Sequence, residues 1–119
     1  MSYDIQLYRI ETKEKELELN DIHFFENEKN LVPFTNGQFE ELKEHLIDYD
    51  YVLNAENESG LAYSHEDYSI TALLTENCLY FSSSFDDESI FEAGMAASEF
   101  TDTGSFAKYD PQNGGWEEI

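Results

Sequence analysis

The sequence is poor in cysteine, proline and basic residues. Of 119 residues, one is cysteine, two are proline and six are lysine or arginine, against 27 aspartates and glutamates. The single Cys78 cannot form an internal disulfide and fits a reducing compartment. Phosphate contacts need clustered positive charge, so direct nucleic-acid binding is disfavoured.

Long apolar runs are also missing. No stretch approaches the roughly 18 to 20 apolar residues that cross a bilayer, and residues 1–20 are too charged for a signal peptide. We therefore expect a cytoplasmic protein with no membrane partner.

Apolar material is nevertheless sufficient for a core. The chain is 40% hydrophobic and 15% aromatic, so its formal net charge of −21 does not imply disorder. Its length suits a single domain over 1–119. The charge is uneven: residues 1–43 carry a net −5, whereas residues 44–119 carry −16 with Lys108 as their only lysine or arginine. Such a field attracts basic partners.

Hydrophobic periodicity predicts the first elements. Alternating Tyr3, Ile5 and Leu7 predict a strand over 3–10. The run 11–20 reads as a charged connection or a weak helix, and the helical content of 11–32 stays open; Asp21 could cap a short helix there, and Pro33 would end it.

The clearest helix is predicted at about 36–48. Thr35 and Gln38 fit a capping box, in which each side chain satisfies a backbone amide of the first turn. Phe39, Leu42 and Leu46 then recur on one helical face.

From residue 51 onward, the pattern favours strands separated by turn residues. Residues 90–97 fit a strand or a helix, and we interpret them as a strand because Phe91, Ala93, Met95 and Ala97 alternate. A short helical turn near 97–101 follows, and Trp116 is expected to dock on the domain from a terminal loop. The predicted strands are 51–55, 61–65, 68–75, 78–85, 90–97 and 105–110.

These elements indicate an α+β single domain. We expect an amphipathic helix packed on one face of a curved antiparallel sheet, a meander of about five to six strands. The strands are too close in sequence for the crossover helices of a parallel sheet.

Catalytic and metal-binding motifs are weak. Asp102-Thr103-Gly104 resembles the catalytic tripeptide of aspartic proteases, but only 15 residues follow it, so Gly104 is better read as a positive-φ residue. His23, His45 and His65 lack metal-ligand spacing. We predict no enzymatic activity, no catalytic residues, no cofactor and no metal site.

Acidic turns with neighbouring tyrosines are the candidate binding residues. Turn residues project without having to fill a core, and carboxylates steer basic partners. The two acidic turns are separated by two strands, so both could lie at one end of a meander. The predicted contact residues are Glu66, Asp67, Asp86, Asp87, Glu88, Tyr63 and Tyr68.

In size and charge the chain resembles bacterial immunity proteins, small acidic antidotes that block toxins, often nucleases with a cationic cleft. The resemblance is one of kind, since no motif places the chain in one such family. It implies a non-enzymatic inhibitor that binds a basic protein. The alternative is an acidic cytoplasmic domain or enzyme accessory subunit whose charge serves solubility; the oligomeric state is left open.

Self-repulsion gives a first prediction. With −21 on 119 residues, added sodium chloride should screen like charges and raise the melting temperature. The rise should level off as the Debye length falls to about 3 Å near 1 M. Thermal unfolding between about 10 and about 300 mM salt measures this; an unchanged or lower melting temperature would contradict it.

Overall fold

The computed structural model describes residues 3–19, 24–26, 28–58, 60–110 and 115–116, which form an α+β domain. Three 3-10 turns, Phe24–Glu26, Glu28–Asn30 and Thr101–Thr103, connect its elements. The strands and helices within these ranges are β1 Tyr3–Arg9, α1 Ile10–Leu19, α2 Asn36–Asp48, β2 Tyr51–Asn57, β3 Gly60–His65, β4 Ile70–Leu74, β5 Cys78–Ser83, α3 Asp87–Phe100, β6 Phe106–Asp110 and β7 Gly115–Trp116.

The strands form one antiparallel sheet in the order β2-β3-β4-β5-β1-β6-β7. The predicted α+β fold is confirmed, and β2 to β5 form a meander. The described sheet has seven strands, more than the predicted five to six. β1 lies between β5 and β6: Ile5 pairs with Phe81, and Arg9 pairs with Phe106.

One face of the sheet carries the main core. Ile5, Leu7 and Phe81 project from adjacent central strands and are almost fully buried. α2 adds Leu42 and Leu46 to the same cluster, and α3 adds Ala93, Ala96, Ala97 and Phe100. Two helices therefore cover this face, where the sequence predicted one.

A smaller aromatic cluster lies on the opposite face. Tyr8 and Cys78, which pair across β1 and β5, pack there with Phe24 and Leu31. Trp116 lies 5.8 Å from Tyr8 between ring centroids. The predicted docking of Trp116 is thus confirmed, although its segment forms a short strand; residues 111–114 of the predicted loop lie outside the described residues.

α2 matches its prediction. It begins at Asn36, the Thr35 hydroxyl accepts a hydrogen bond from the Gln38 amide, and Gln38 accepts one from the Thr35 amide. The capping box marks the start of this helix, the apolar face runs along it, and the predicted bounds 36–48 are those of α2.

The strand predicted over 90–97 is wrong, because these residues belong to α3. Ala93, Ala96, Ala97 and Phe100 face the core at helical spacing. The alternation of Phe91 with Ala93 therefore does not indicate a strand. Alanine and glutamate favour the helix, and Asp86 caps it.

Residues 10–19 form α1, so the first part of segment 11–32, whose helical content the sequence left open, is helical. The proposed cap Asp21 lies outside the described residues. Residues 97–100, where a separate short helical turn was expected, are the last residues of α3, and the 3-10 turn Thr101–Thr103 follows them. Gly104 has the expected positive φ of 81°. None of the described helices is long and apolar enough to span a membrane.

Gly60 provides a matched stability test. A Cβ at this position would lie 2.3 Å from the Leu74 carbonyl oxygen, and its φ is 143°. We expect Gly60→Ala to lower the free energy of unfolding by about 1 to 3 kcal/mol through backbone strain alone. The close contact with the Leu74 carbonyl oxygen should lower it further.

Gly37, in the first turn of α2, is the control. A Cβ there has only an ordinary contact of 3.9 Å with the Thr35 hydroxyl. Gly37→Ala should stabilise the protein by up to about 1 kcal/mol. Urea unfolding of both variants measures the two changes in the free energy of unfolding. Equal changes in the two variants would refute the close approach at Gly60.

Candidate protein-binding surface

The predicted acidic residues lie at one end of the sheet. The amide of Ser84 donates to the Ser69 carbonyl at 3.0 Å, and the amide of Ser69 donates to the Ser89 hydroxyl at 3.3 Å. These bonds join the β3–β4 connection to the start of α3. Five exposed carboxylates share this end of the sheet: Glu66, Asp67, Asp86, Asp87 and Glu88.

Asp50 joins this group and was missed as a contact residue. Its carbonyl accepts the Glu66 amide at 3.1 Å, and its φ is 70°. Asp50 follows the C-cap Tyr49 of α2, a position that favours residues tolerating the left-handed region. The sequence pattern shows the helix end but not its proximity to Glu66. We name Asp50, Glu66, Asp67, Asp86, Asp87 and Glu88 the acidic corner.

Asp86 is a structural residue as well as a candidate contact. It was predicted to lie in a turn with Asp87 and Glu88, but it caps α3, and its carboxylate accepts the Ser89 amide at 2.8 Å. Hydrogen bonds from the Ser84 hydroxyl and the Ser89 amide hold the pKa of Asp86 below its usual value. Reversing Asp86 to lysine would therefore remove this cap and weaken the helix.

The buried side chain of His65 positions the part of the acidic corner that contains Asp67. The His65 Nδ1 accepts the Asp67 amide at 3.0 Å. That bond leaves Nε2 as the protonated nitrogen of the neutral ring, 4.0 Å from the Glu92 carboxylate. The ring also contacts Tyr51 and Tyr68. The peptide of Asp67 is thus fixed by a buried side chain.

The two predicted tyrosines differ in position. Tyr68 is 36% exposed beside Glu66 and Asp67. Tyr63 is 2% exposed and belongs to the main core. We therefore exclude Tyr63 from the surface, since its ring offers little area to a partner.

An exposed apolar patch continues from the corner along α3. Phe91 is 69% exposed and Met95 37% exposed, and both follow Glu88 on one helical face at spacings of three and seven. Phe85 is 49% exposed, and its ring contacts the ring of Tyr3. Tyr3, Phe91 and Met95 together line a depression of about 370 Å³. We name Phe85, Phe91 and Met95 the α3 patch. This patch was missed from the sequence because residues 90–97 were assigned to a strand instead of a helix.

Several carboxylates of the domain accept hydrogen bonds from uncharged side chains. The Tyr3 hydroxyl donates to Asp110 at 2.7 Å, and the Trp116 indole donates to Glu16 at 2.8 Å. The Ser82 hydroxyl donates to Asp4 at 3.1 Å, and the Tyr49 hydroxyl donates to Glu99. Ion pairs join Arg9 to Glu11 and Lys43 to Glu40. Uncharged donors as well as cations therefore bind the carboxylates of this domain.

Cys78 has the environment of a structural cysteine. It is completely buried, and burial raises the pKa of its thiol far above the usual value. A thiol in this state is a poor nucleophile. Among the described residues, no three His, Cys, Asp or Glu side chains converge in a way that could hold a metal ion.

No protein-family model, curated protein or solved structure matches this chain. The candidate surface therefore rests on its own geometry.

The tyrosine–carboxylate bonds predict alkaline sensitivity. Burial, followed by the bond to Asp110, raises the pKa of Tyr3 to about 12, and the bond to Glu99 followed by burial raises that of Tyr49 to about 12. Because these values exceed about 10 for an unfolded tyrosine, the stabilisation is complete below about pH 10 and is lost as the pH rises through about 12. The melting temperature should fall across this interval, and less steeply in Tyr3→Phe/Tyr49→Phe. Identical slopes would contradict the assignment.

Proposed function

We propose that this protein is a non-enzymatic binding module that inhibits a basic protein partner in the cytoplasm. A toxin nuclease with a cationic cleft is the kind of partner that its charge fits. The observation that carries the proposal is the continuity between the acidic corner and the exposed α3 patch.

The acidic corner would guide the encounter. The six carboxylates lie in two connections and in the N-cap and first turn of α3, and segment 44–119 contains a single Lys or Arg. That residue, Lys108, donates to Gly94 and Ser98 of α3. Like charges gathered on one surface raise the association rate with an oppositely charged partner.

The α3 patch would supply the contact area. Exposed aromatic and methionine side chains beside polar residues are typical of interface centres. Phe91 and Met95 lie on the same face of α3 as Glu88 of the acidic corner. A partner steered by the corner would therefore bury these side chains, and their loss should act mainly on dissociation.

The test begins with capture from the native host extract, followed by elution with salt and kinetics on the purified partner. A corner variant, Glu66→Gln/Asp67→Asn, leaves the Asp86 cap in place. A patch variant, Phe91→Ser/Met95→Ser, removes apolar surface. The control, Glu14→Gln/Glu18→Gln on exposed positions of α1, has the same charge as the corner variant.

We expect the corner variant to slow association by up to about tenfold at low salt, because steering acts on the on-rate. The patch variant should speed dissociation, and the control should match the parent protein. One molar equivalent of the parent should also suppress the partner's activity. Capture of proteins without basic character, or equal losses in corner and control variants, would overturn the proposal.

A further inference from the structure

A second concave site lies at the opposite end of the sheet from the acidic corner. It is a groove of about 720 Å³ over the β4–β5 hairpin. Its volume falls in the range of sites that enclose a drug-sized ligand. The groove shares no residue with the acidic corner or the α3 patch.

Part of the groove wall is aromatic and aliphatic. Phe25, Phe39 and Tyr80 line it with partly exposed rings, and Leu73 adds a partly exposed aliphatic side chain. These side chains come from the 3-10 turn after α1, from α2 and from β4 and β5, so the fold brings distant segments together.

The charges in the groove are all of one sign. Glu26, Glu58 and Glu76 line it and are exposed. Among the described lining residues there is no Lys, Arg or His. Carboxylates beside ring faces attract an organic cation, because a ring face carries negative potential and the apolar wall accepts an aliphatic stem.

We propose that this groove binds an arginine or lysine side chain presented by an extended basic peptide. The carboxylates of Glu58 and Glu76 would pair with the cationic head, and the aromatic rings would cover the stem. The inference goes beyond the proposed function, since neither the acidic corner nor the α3 patch takes part in it.

Titration with short synthetic peptides tests the proposal directly. The first probe is a capped peptide that alternates arginine and phenylalanine, followed by backbone amide shifts in nuclear magnetic resonance spectra. Its matched partner replaces each arginine by citrulline, which keeps the shape and removes the charge. Spermine is the third probe, a small cation without a peptide backbone.

We expect the arginine peptide to shift the amides of Gly60 and of Thr75 to Asn77, and citrulline to weaken binding at least about tenfold. Glu58→Gln/Glu76→Gln should weaken it by about tenfold, whereas Glu18→Gln/Glu44→Gln, with the same net charge and both positions exposed, should change it less than about twofold. Tyr80→Leu should weaken it about fivefold, because the leucine keeps apolar volume without the ring face.

Four outcomes would overturn the inference. Absence of shifts at the groove excludes the site. Equal losses in the two glutamine variants would mean general charge attraction. Spermine binding as tightly as the peptide at the same amides would identify a small polyamine as the ligand. Shifts confined to the acidic corner would also reject the groove while leaving the proposed function intact.

Discussion

Hydrogen bonds from uncharged donors to carboxylates connect several elements of this acidic chain. Tyr3 of β1 donates to Asp110 of β6, and Trp116 donates from β7 to α1. Each such bond joins two elements. A neutral donor also differs from a lysine in one respect: it satisfies the carboxylate without cancelling its charge. The domain can therefore pair its carboxylates locally and still keep a formal charge of −21 at long range.

This arrangement separates two roles of acidic side chains. Carboxylates such as Asp110 are buried and connect strands, whereas Glu66 and Asp67 project from a connection that His65 fixes from within. Asp86 serves in both ways, since it caps α3 and belongs to the acidic corner. An experiment on the surface must therefore distinguish projecting carboxylates from those that the fold requires.

The sequence predicts elements wherever two local patterns agree, as the capping box of Thr35 and the apolar face of α2 do. It fails at 90–97, where residues such as Phe91 and Ala93 satisfy a two-residue period by chance while the core follows the helical one. The neighbourhood of Asp50 and Glu66, and the whole groove beside Tyr80, arise from tertiary packing. No local spacing encodes such contacts, which is why the predicted surface did not contain the groove. The α3 patch was missed for a different reason, because residues 90–97 were assigned to a strand.

The central position of β1 has a consequence for synthesis of the chain. β1 is synthesised before the other described strands, but its neighbours β5 and β6 come from the second half of the sequence. The meander from β2 to β5 consists of local hairpins and can pair early, which leaves the edge of β5 open until β1 returns to it. The loop closure that brings β1 to β5 and β6 is then the late step, and this sheet should be completed only after translation has delivered β6 and β7.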